Sequence, residues 1–365
     1  MKHCKLLSLL LTLALLFSLA ACAPAASDPT AAPSEEATAT VSPTQEPTEE
    51  PTNAPTETPS SVEPGEIRLA VLSGPTGIGA AKLLDNIDNK SAGLSFSGYD
   101  YNIYTDNSEL VAGLTNGEID IATMASNMAV NLYNKTDGGV KIIAVGTLGV
   151  LHILEGSGGT SINSVEDLRG KTIYSAGQGA NPEYILRYLL QESGLEVGTD
   201  VEISFADASE ISAKLLSGEI ECAMLPVPAA TAAIAKGDGQ VRQAIDVTEA
   251  WDALQSGSQL VMTAVVARTE FLENHPEPVN LFLRDYEESI NYVNNNVDAA
   301  AELVAGYGIT PSAGIAKQAI PQCHLTFIAG NDMVSAISDY FTALYAIDPA
   351  SVGGSLPDDG IYYVP

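Results

Sequence analysis

The sequence is short of positive charge, cysteine and tryptophan, and each shortage narrows what the chain can do. Its 365 residues carry 16 Lys+Arg against 46 Asp+Glu. Nucleic acid is gripped by clustered Lys and Arg that displace counterions, so this surplus of acid excludes it as a partner. Beyond that, the charge speaks to solubility rather than fold. The four histidines, His3, His152, His275 and His324, are dispersed and show no metal-ligand spacing. No GxSxG or HExxH is present, and Arg169-Gly-Lys-Thr172 lacks the earlier glycine of a phosphate loop, where Val165 stands. No catalytic group, metal or cofactor is therefore expected. Two cysteines, Cys222 and Cys323, stand far from the N-terminus, and the pattern below assigns them to different lobes, so buried free thiols are expected. The single tryptophan, Trp251, reads as a core residue.

Only one long apolar run exists, and it lies at the start. Met1-Lys-His-Cys-Lys5 is a short basic segment, followed by the apolar residues 6–21. That length is short for a membrane span and has the flanks of a secretory signal. The run ends in Leu19-Ala20-Ala21-Cys22, which resembles a bacterial lipobox. The resemblance implies that Cys22 is diacylated on sulfur and becomes the first mature residue, with each buried CH₂ worth about 0.8 kcal/mol of membrane affinity. Residues 23–65 follow, made largely of Pro, Thr, Ala, Ser and Glu, with no aromatic residue, Lys or Arg. Such a segment buries too little apolar surface to offset its ordering entropy and reads as a disordered tether. At about 3.1 Å per residue it could reach roughly 130 Å if fully extended as polyproline.

Eight of the 46 acids lie in the tether and two of the 16 bases in the first five residues, leaving 38 acids and 14 bases over residues 66–365. That length supports two lobes. A repeat gives the same number. Residues 106–123 (DNSELVAGLTNGEIDIAT) and 207–224 (DASEISAKLLSGEIECAM) are identical at nine of 18 positions with the offset held at 101. Each copy reads as a helix capped by Ser108 or Ser209. An apolar pair follows at i, i+4 (Leu110/Leu114; Ile211/Leu215). A glycine stop comes next at Gly117 or Gly218, then a strand from Ile119 or Ile220.

Around these copies strands alternate with helices, which predicts parallel α/β topology. Glu66–Leu72, Asp100–Thr105 and Val140–Gly146 read as strands of one lobe. Lys171–Ala176, Val201–Ala206 and Val241–Val247 read as strands of the other. Asn181 is placed as a helix N-cap with Pro182 at N1. Leu151-His-Ile-Leu154 and Leu260–Ala267 read as extended crossings, and the C-terminal part is mainly helical. The expected division is residues 66–154 plus 262–365 for lobe 1 and 155–261 for lobe 2, joined by two crossing segments that make a hinge and cleft.

Several short motifs carry a family likeness: Gly74-Pro-Thr-Gly77, Gly117-Glu-Ile-Asp-Ile-Ala122, Ser175-Ala-Gly-Gln-Gly-Ala-Asn-Pro-Glu-Tyr184 and Met224-Leu-Pro-Val-Pro228, with Asp348-Pro-Ala-Ser-Val-Gly-Gly354 and Leu356-Pro-Asp-Asp359 near the end. In order and spacing, residues 66–365 resemble the solute-binding lipoproteins of bacterial ABC importers, in the group handling nitrate, sulfonates, taurine and thiamin-pyrimidine precursors. The resemblance implies the type II periplasmic-binding fold, a small-molecule ligand, a permease as partner, a monomer held to the membrane through its lipid alone, and no enzymatic activity.

In such sheets ligands bind beyond the carboxyl ends of the strands. The candidate contacts are Pro75 and Thr76 after the first strand, and Ser126 and Asn127 after the first repeat. Gln178, Asn181, Glu183 and Tyr184 come from the Gly-rich turn, Pro228 follows the second repeat, and His152 lies on a crossing strand. Thr76 and Asn181 serve equally well as helix caps, His152 as a core histidine and Glu183 as a first-turn acid. Facing the cleft, Glu183 would oppose an oxyanion, which favours a thiamin-pyrimidine-like heterocycle over an alkanesulfonate, taurine or nitrate. A sensory or adhesive lipoprotein that keeps the binding fold is the remaining alternative.

Overall fold

The structure, a computed structural model, describes residues 66–254 and 257–365; the leader, Cys22 and the tether lie outside them. Eleven strands form in chain order among the described residues: β1 (Ile67–Leu72), β2 (Tyr99–Tyr104), β3 (Ile121–Ala125), β4 (Val140–Thr147), β5 (Leu151–Glu155), β6 (Thr172–Ser175), β7 (Glu202–Phe205), β8 (Cys222–Pro226), β9 (Arg242–Asp246), β10 (Thr263–Arg268) and β11 (Leu325–Ile328). They make two sheets, ordered β11-β4-β10-β3-β1-β2 and β7-β6-β8-β5-β9.

The two sheets follow one plan. In the first, β1 pairs in parallel with β2 and β3, and β10 enters antiparallel between β3 and β4. In the second, β6 pairs in parallel with β7 and β8, and β5 enters antiparallel between β8 and β9. Each antiparallel strand follows a strand of the other sheet in sequence. The chain therefore crosses twice, and both crossings join the same ends of the sheets. The change of sheet falls between Thr147 and Leu151, so Leu151–Leu154 belong to the second sheet and not to the first lobe. The cause is the tight link after β4, which leaves β5 free to pair with β8 at once.

Both copies of the repeat fold as helix then strand. Helices Asn107–Asn116 and Ala208–Ser217 bury Leu110/Leu114 and Ile211/Leu215 and end at Gly117 (φ 81) and Gly218 (φ 74). That left-handed backbone is open to glycine at little cost. Two details differ from expectation. The N-cap positions are Asp106, whose carboxylate accepts from the Ser108 N–H at 2.7 Å, and Asp207, not the serines. The strands start two residues later, at Ile121 and Cys222, because Ile119 and Ile220 turn in to cover their helices.

A large apolar core runs through both sheets, with a smaller cluster around Leu154, Ile211, Leu215 and Leu225. Where the lobes meet, Tyr188 of helix Asn181–Glu192, Trp251 of helix Val247–Ala253 and Tyr340 of helix Gly330–Ile347 stack in series, with centroids 4.5 and 5.7 Å apart. Trp251 is fully buried, and its indole N–H points at the Ser258 carbonyl (3.2 Å) and hydroxyl (3.1 Å). Cys222 and Cys323 are both buried and free.

The end of the first sheet away from the crossings is held by one carboxylate. Asp120, 1% exposed, accepts from Arg68 through its backbone N (3.1 Å), Nε (2.8 Å) and Nη2 (2.6 Å), and from Arg268 Nη2 at 3.0 Å. It binds the start of β1 and the end of β10 to the approach to β3. Removing one partner of a buried ion pair costs about 3–5 kcal/mol. Asp120→Ala is expected to lower the unfolding free energy by about 3 kcal/mol in a urea titration with little change in slope; a loss below about 1 kcal/mol would show that the two guanidinium groups find other partners.

Candidate functional site

The carboxyl ends of the parallel strands in both sheets open towards the crossings, and the turns beyond them meet there. After β1 the chain enters the short helix Pro75–Ile78 through Gly74 (φ 83). Gly77 lets that helix fold back onto the strand, because a Cβ there would lie 2.4 Å from the Leu72 carbonyl oxygen. After β3 comes helix Ser126–Lys135, after β6 helix Asn181–Glu192, and after β8 helix Ala229–Lys236. Thr147 ends β4 and Thr263 begins β10, opposite one another in register. On the second sheet His152 stands opposite both Leu225 and Asp246.

Hydrogen bonds join the two sets of turns directly. Ser126 Oγ donates to the Val261 carbonyl at 2.6 Å, and Asn181 Nδ2 donates to Ser126 Oγ at 3.1 Å. Asn181 Nδ2 also faces the Met262 carbonyl at 3.5 Å, which accepts from the Ser126 N–H at 3.1 Å. Thr263 Oγ1 meets Thr76 Oγ1 at 3.4 Å. Across the same seam Thr231 Oγ1 donates to Gln322 Oε1 at 3.4 Å. Asn181, Ser126 and Asn127 are all buried, while Pro75, Thr76 and Pro228 are half-buried.

Neither residue read as a possible cap acts as one. The cap position before helix Asn181–Glu192 is Ala180, and Asn181 spends its amide on the other lobe. Thr76 lies inside its helix, behind Gly74. Glu183 does not present a free carboxylate: one oxygen accepts from the Gly179 N–H at 2.8 Å and the other from Arg187 Nε at 2.7 Å. Its charge is thus paired within its own turn and helix, so Glu183 gives no support to a heterocycle over an oxyanion. Gln178 is exposed on its turn. Tyr184 is 8% exposed, and burial, then Asp348 from the first lobe, push its phenol up.

Several buried polar atoms at the seam have no protein hydrogen-bond partner: Oδ1 of Asn127 and of Asn181, and the hydroxyls of Thr147 and Thr248. The Tyr340 phenol is pushed up by burial, an effect that nearby Ser126 opposes. His152 is 1% exposed, and its Nδ1 is 3.5 Å from Asp246 Oδ2. Burial drives its pKa down, Asp246 opposes the shift, and His324 reinforces it. The ring is therefore held neutral, and the Asp246 contact is that of a carboxylate with a neutral imidazole, too long for a strong hydrogen bond. Apart from Arg187, which is paired with Glu183, none of the seam residues named here is Lys or Arg.

Thr147, Thr263, Thr231, Gln322 and Tyr340 join the seam without being among the candidates read from the sequence. Thr263 carried a usable signal, as the one hydroxyl in the run Leu260–Ala267. Gln322 and Tyr340 carried none, because only the fold brings them to the seam.

Two sheets with an exchanged antiparallel strand and facing carboxyl ends define the two-lobed periplasmic-binding fold. Residues 90–300 match the family model described as NMT1/THI5 like, and the chain belongs to that family. None of the curated proteins matches it. Among solved structures it is similar to an ABC transporter protein from Parabacteroides distasonis, with 22% identity, a TM-score of 0.68 and coverage of 82% of this chain and 99% of the other. It is also similar to the periplasmic aliphatic sulphonate binding protein SsuA from Escherichia coli, with 16% identity, a TM-score of 0.64 and coverage of 83% and 93%. The alkanesulfonate-binding protein SsuA from Xanthomonas axonopodis pv. citri, bound to MOPS, is similar at 13% identity, with a TM-score of 0.55 and coverage of 82% and 96%. At these identities the likeness is one of fold.

The lowered pKa of His152 gives a pH signature. Between the ordinary imidazole value of about 6.5 and the lower folded value, the unfolded chain binds a proton that the folded chain does not. The stability that depends on neutral His152 is thus intact above about pH 6.5 and is lost as pH falls below it. Unfolding midpoints measured from pH 7.5 to 5 should decline for the parent and decline less for His152→Gln; parallel slopes would show that His152 is not held neutral.

Proposed function

We propose that this chain is the extracytoplasmic solute-binding component of an ABC importer, capturing a small solute between its two lobes by hinge closure. One observation carries the reading: Asn181 of the second lobe hydrogen-bonds Ser126 of the first, across a seam built from the carboxyl-end turns of both sheets. A solute held there would touch both lobes and favour the closed form, and its preference for that form supplies the switching energy. Family membership and the likeness to transport-associated binding proteins support capture rather than catalysis. In this reading Cys22 carries the lipid, residues 23–65 form the tether, and a monomer delivers its cargo to the permease.

For the solute, a neutral or amine-bearing heterocycle of the thiamin-pyrimidine kind is the favoured reading. Its support is the absence of an unpaired Lys or Arg from the seam residues named above, together with the family. An alkanesulfonate, taurine or nitrate is the second reading, favoured by the two sulfonate-binding structural neighbours. Backbone N–H groups at the starts of helices Ser126–Lys135 and Asn181–Glu192 can hold an anion without a basic side chain.

The test is direct. Binding to the folded state alone stabilises by about 2.7 kcal/mol at a ligand concentration of 100 Kd. A thermal-shift series with aminopyrimidines, thiamin, taurine, alkanesulfonates and nitrate should therefore yield one class that raises the midpoint. The same class should shrink the radius of gyration in X-ray scattering and alter the fluorescence of Trp251, which packs against Tyr340 of the other lobe. A solute that raises the midpoint while leaving both dimensions and fluorescence unchanged would refute capture by closure.

A further inference from the structure

The orientation of the Asn181 carboxamide is fixed by its partners. Ser126 has one hydroxyl hydrogen, and the Val261 carbonyl at 2.6 Å can only accept, so that hydrogen is used there. Towards Asn181 the Ser126 oxygen must then accept, and the amide atom 3.1 Å away must be Nδ2. The second neighbour of that nitrogen, the Met262 carbonyl at 3.5 Å, is also an acceptor. Turning the amide over would set its oxygen against two acceptors. Oδ1 therefore faces away from both, buried and without a hydrogen-bond donor among the described residues. The residue itself is 2% exposed.

This arrangement depends on closure. Asn181 opens a helix of the second lobe, whereas Ser126, Val261 and Met262 frame the end of the first sheet. Only when the lobes meet does Nδ2 find its acceptors, and only then is Oδ1 aimed and held. Resting on the solute-capture reading above, we propose that Asn181 is a specificity-determining residue: its Oδ1 takes a hydrogen bond from an N–H or O–H of the solute. The solute class is then one with a hydrogen-bond donor beside its polar head, such as a ring amine, amide or alcohol. An ionised sulfonate or nitrate offers only acceptors and leaves Oδ1 unpaired. Discrimination is strong in this situation, because a buried polar group that loses its partner penalises the wrong solute. Tyr184 follows one turn further along the same helix and is 8% exposed.

The experiment uses the purified protein with two probes, a 4-amino-5-hydroxymethylpyrimidine and ethanesulfonate, read by calorimetry and X-ray scattering. The parent should bind the pyrimidine with compaction and ethanesulfonate at least a hundredfold more weakly. Asn181→Leu should weaken the pyrimidine at least tenfold. Ser126→Ala, which keeps Oδ1 but loosens its anchor, should weaken it by a smaller factor. Unfolding midpoints of the unliganded variants show whether each folds, and Asn181→Ser replaces Asn181→Leu if leucine lowers the midpoint. Pyrimidine binding unchanged in the Asn181 variants would overturn the proposal and leave solute capture standing. Compaction with ethanesulfonate alone would do the same. Neither probe binding or compacting the parent would overturn the proposal and count against solute capture at this seam.

Discussion

The exchange of one antiparallel strand between the sheets governs the rest of the molecule. β5 follows β4 of the first sheet but pairs inside the second, and β10 returns from the second to pair inside the first. A strand entering antiparallel among parallel neighbours arrives at their carboxyl ends, so both crossings run between those ends and hold them face to face. The crossings are also bonded to each other: the Met262 N–H donates to the carbonyls of both Thr147 (3.1 Å) and Leu148 (2.8 Å). At Gly149 a Cβ would lie 1.6 Å from Thr248 Oγ1, so this position is glycine for reasons of close approach rather than backbone angle. The double crossing is thus paired and tightly packed between the facing carboxyl ends.

The parts of this fold written locally were legible in the sequence. Helix Asn107–Asn116 and its copy Ala208–Ser217 were visible because an i, i+4 apolar pair and a left-handed glycine fall within ten residues. The strand alternation gave the class, and the offset of 101 gave the duplication. What failed was the choice among local partners of similar strength. Asp106 outcompetes Ser108 for the first-turn N–H, and Asn181 forgoes capping for a partner 55 residues away. Glu183 is legible as a first-turn acid, and its pairing with Arg187 one turn on is equally written in the i, i+4 spacing. Gln322 and Tyr340 were beyond reach, because their place at the seam depends on how the C-terminal helices return across the lobes.

The few bases show a second regularity. Arg68 and Arg268 close on Asp120 at the far end of the first sheet. Arg242 closes on Glu155 at the far end of the second, with Nη2 2.5 Å from a carboxylate that also accepts from Ser161 and Ile162. The duplicated lobes thus carry the same kind of lock at the same end, although the residues are not equivalent in the repeat: position 120 is Asp and its counterpart is the exposed Glu221. These two locks hold three of the arginines at the ends of the sheets away from the crossings.

In the capture proposed above, closure is a balance between two kinds of contact. On the aromatic side Trp251 of the second lobe meets Tyr340, a pair worth about 0.5–1.5 kcal/mol beyond its buried area. On the polar side the closed lobes bury Oδ1 of Asn127 and Asn181 without protein partners, and a group left so costs about 1–3 kcal/mol. The two contributions are of opposite sign, and the unpaired oxygens leave part of the balance to the solute. A solute that supplies one or two hydrogen bonds to those oxygens converts a penalty into a gain, and every 1.4 kcal/mol of that difference moves the ratio of closed to open about tenfold. Groups left unmatched by the protein are in this sense what makes the hinge responsive, and filling them with internal partners would yield a more stable molecule that no longer answers to its solute.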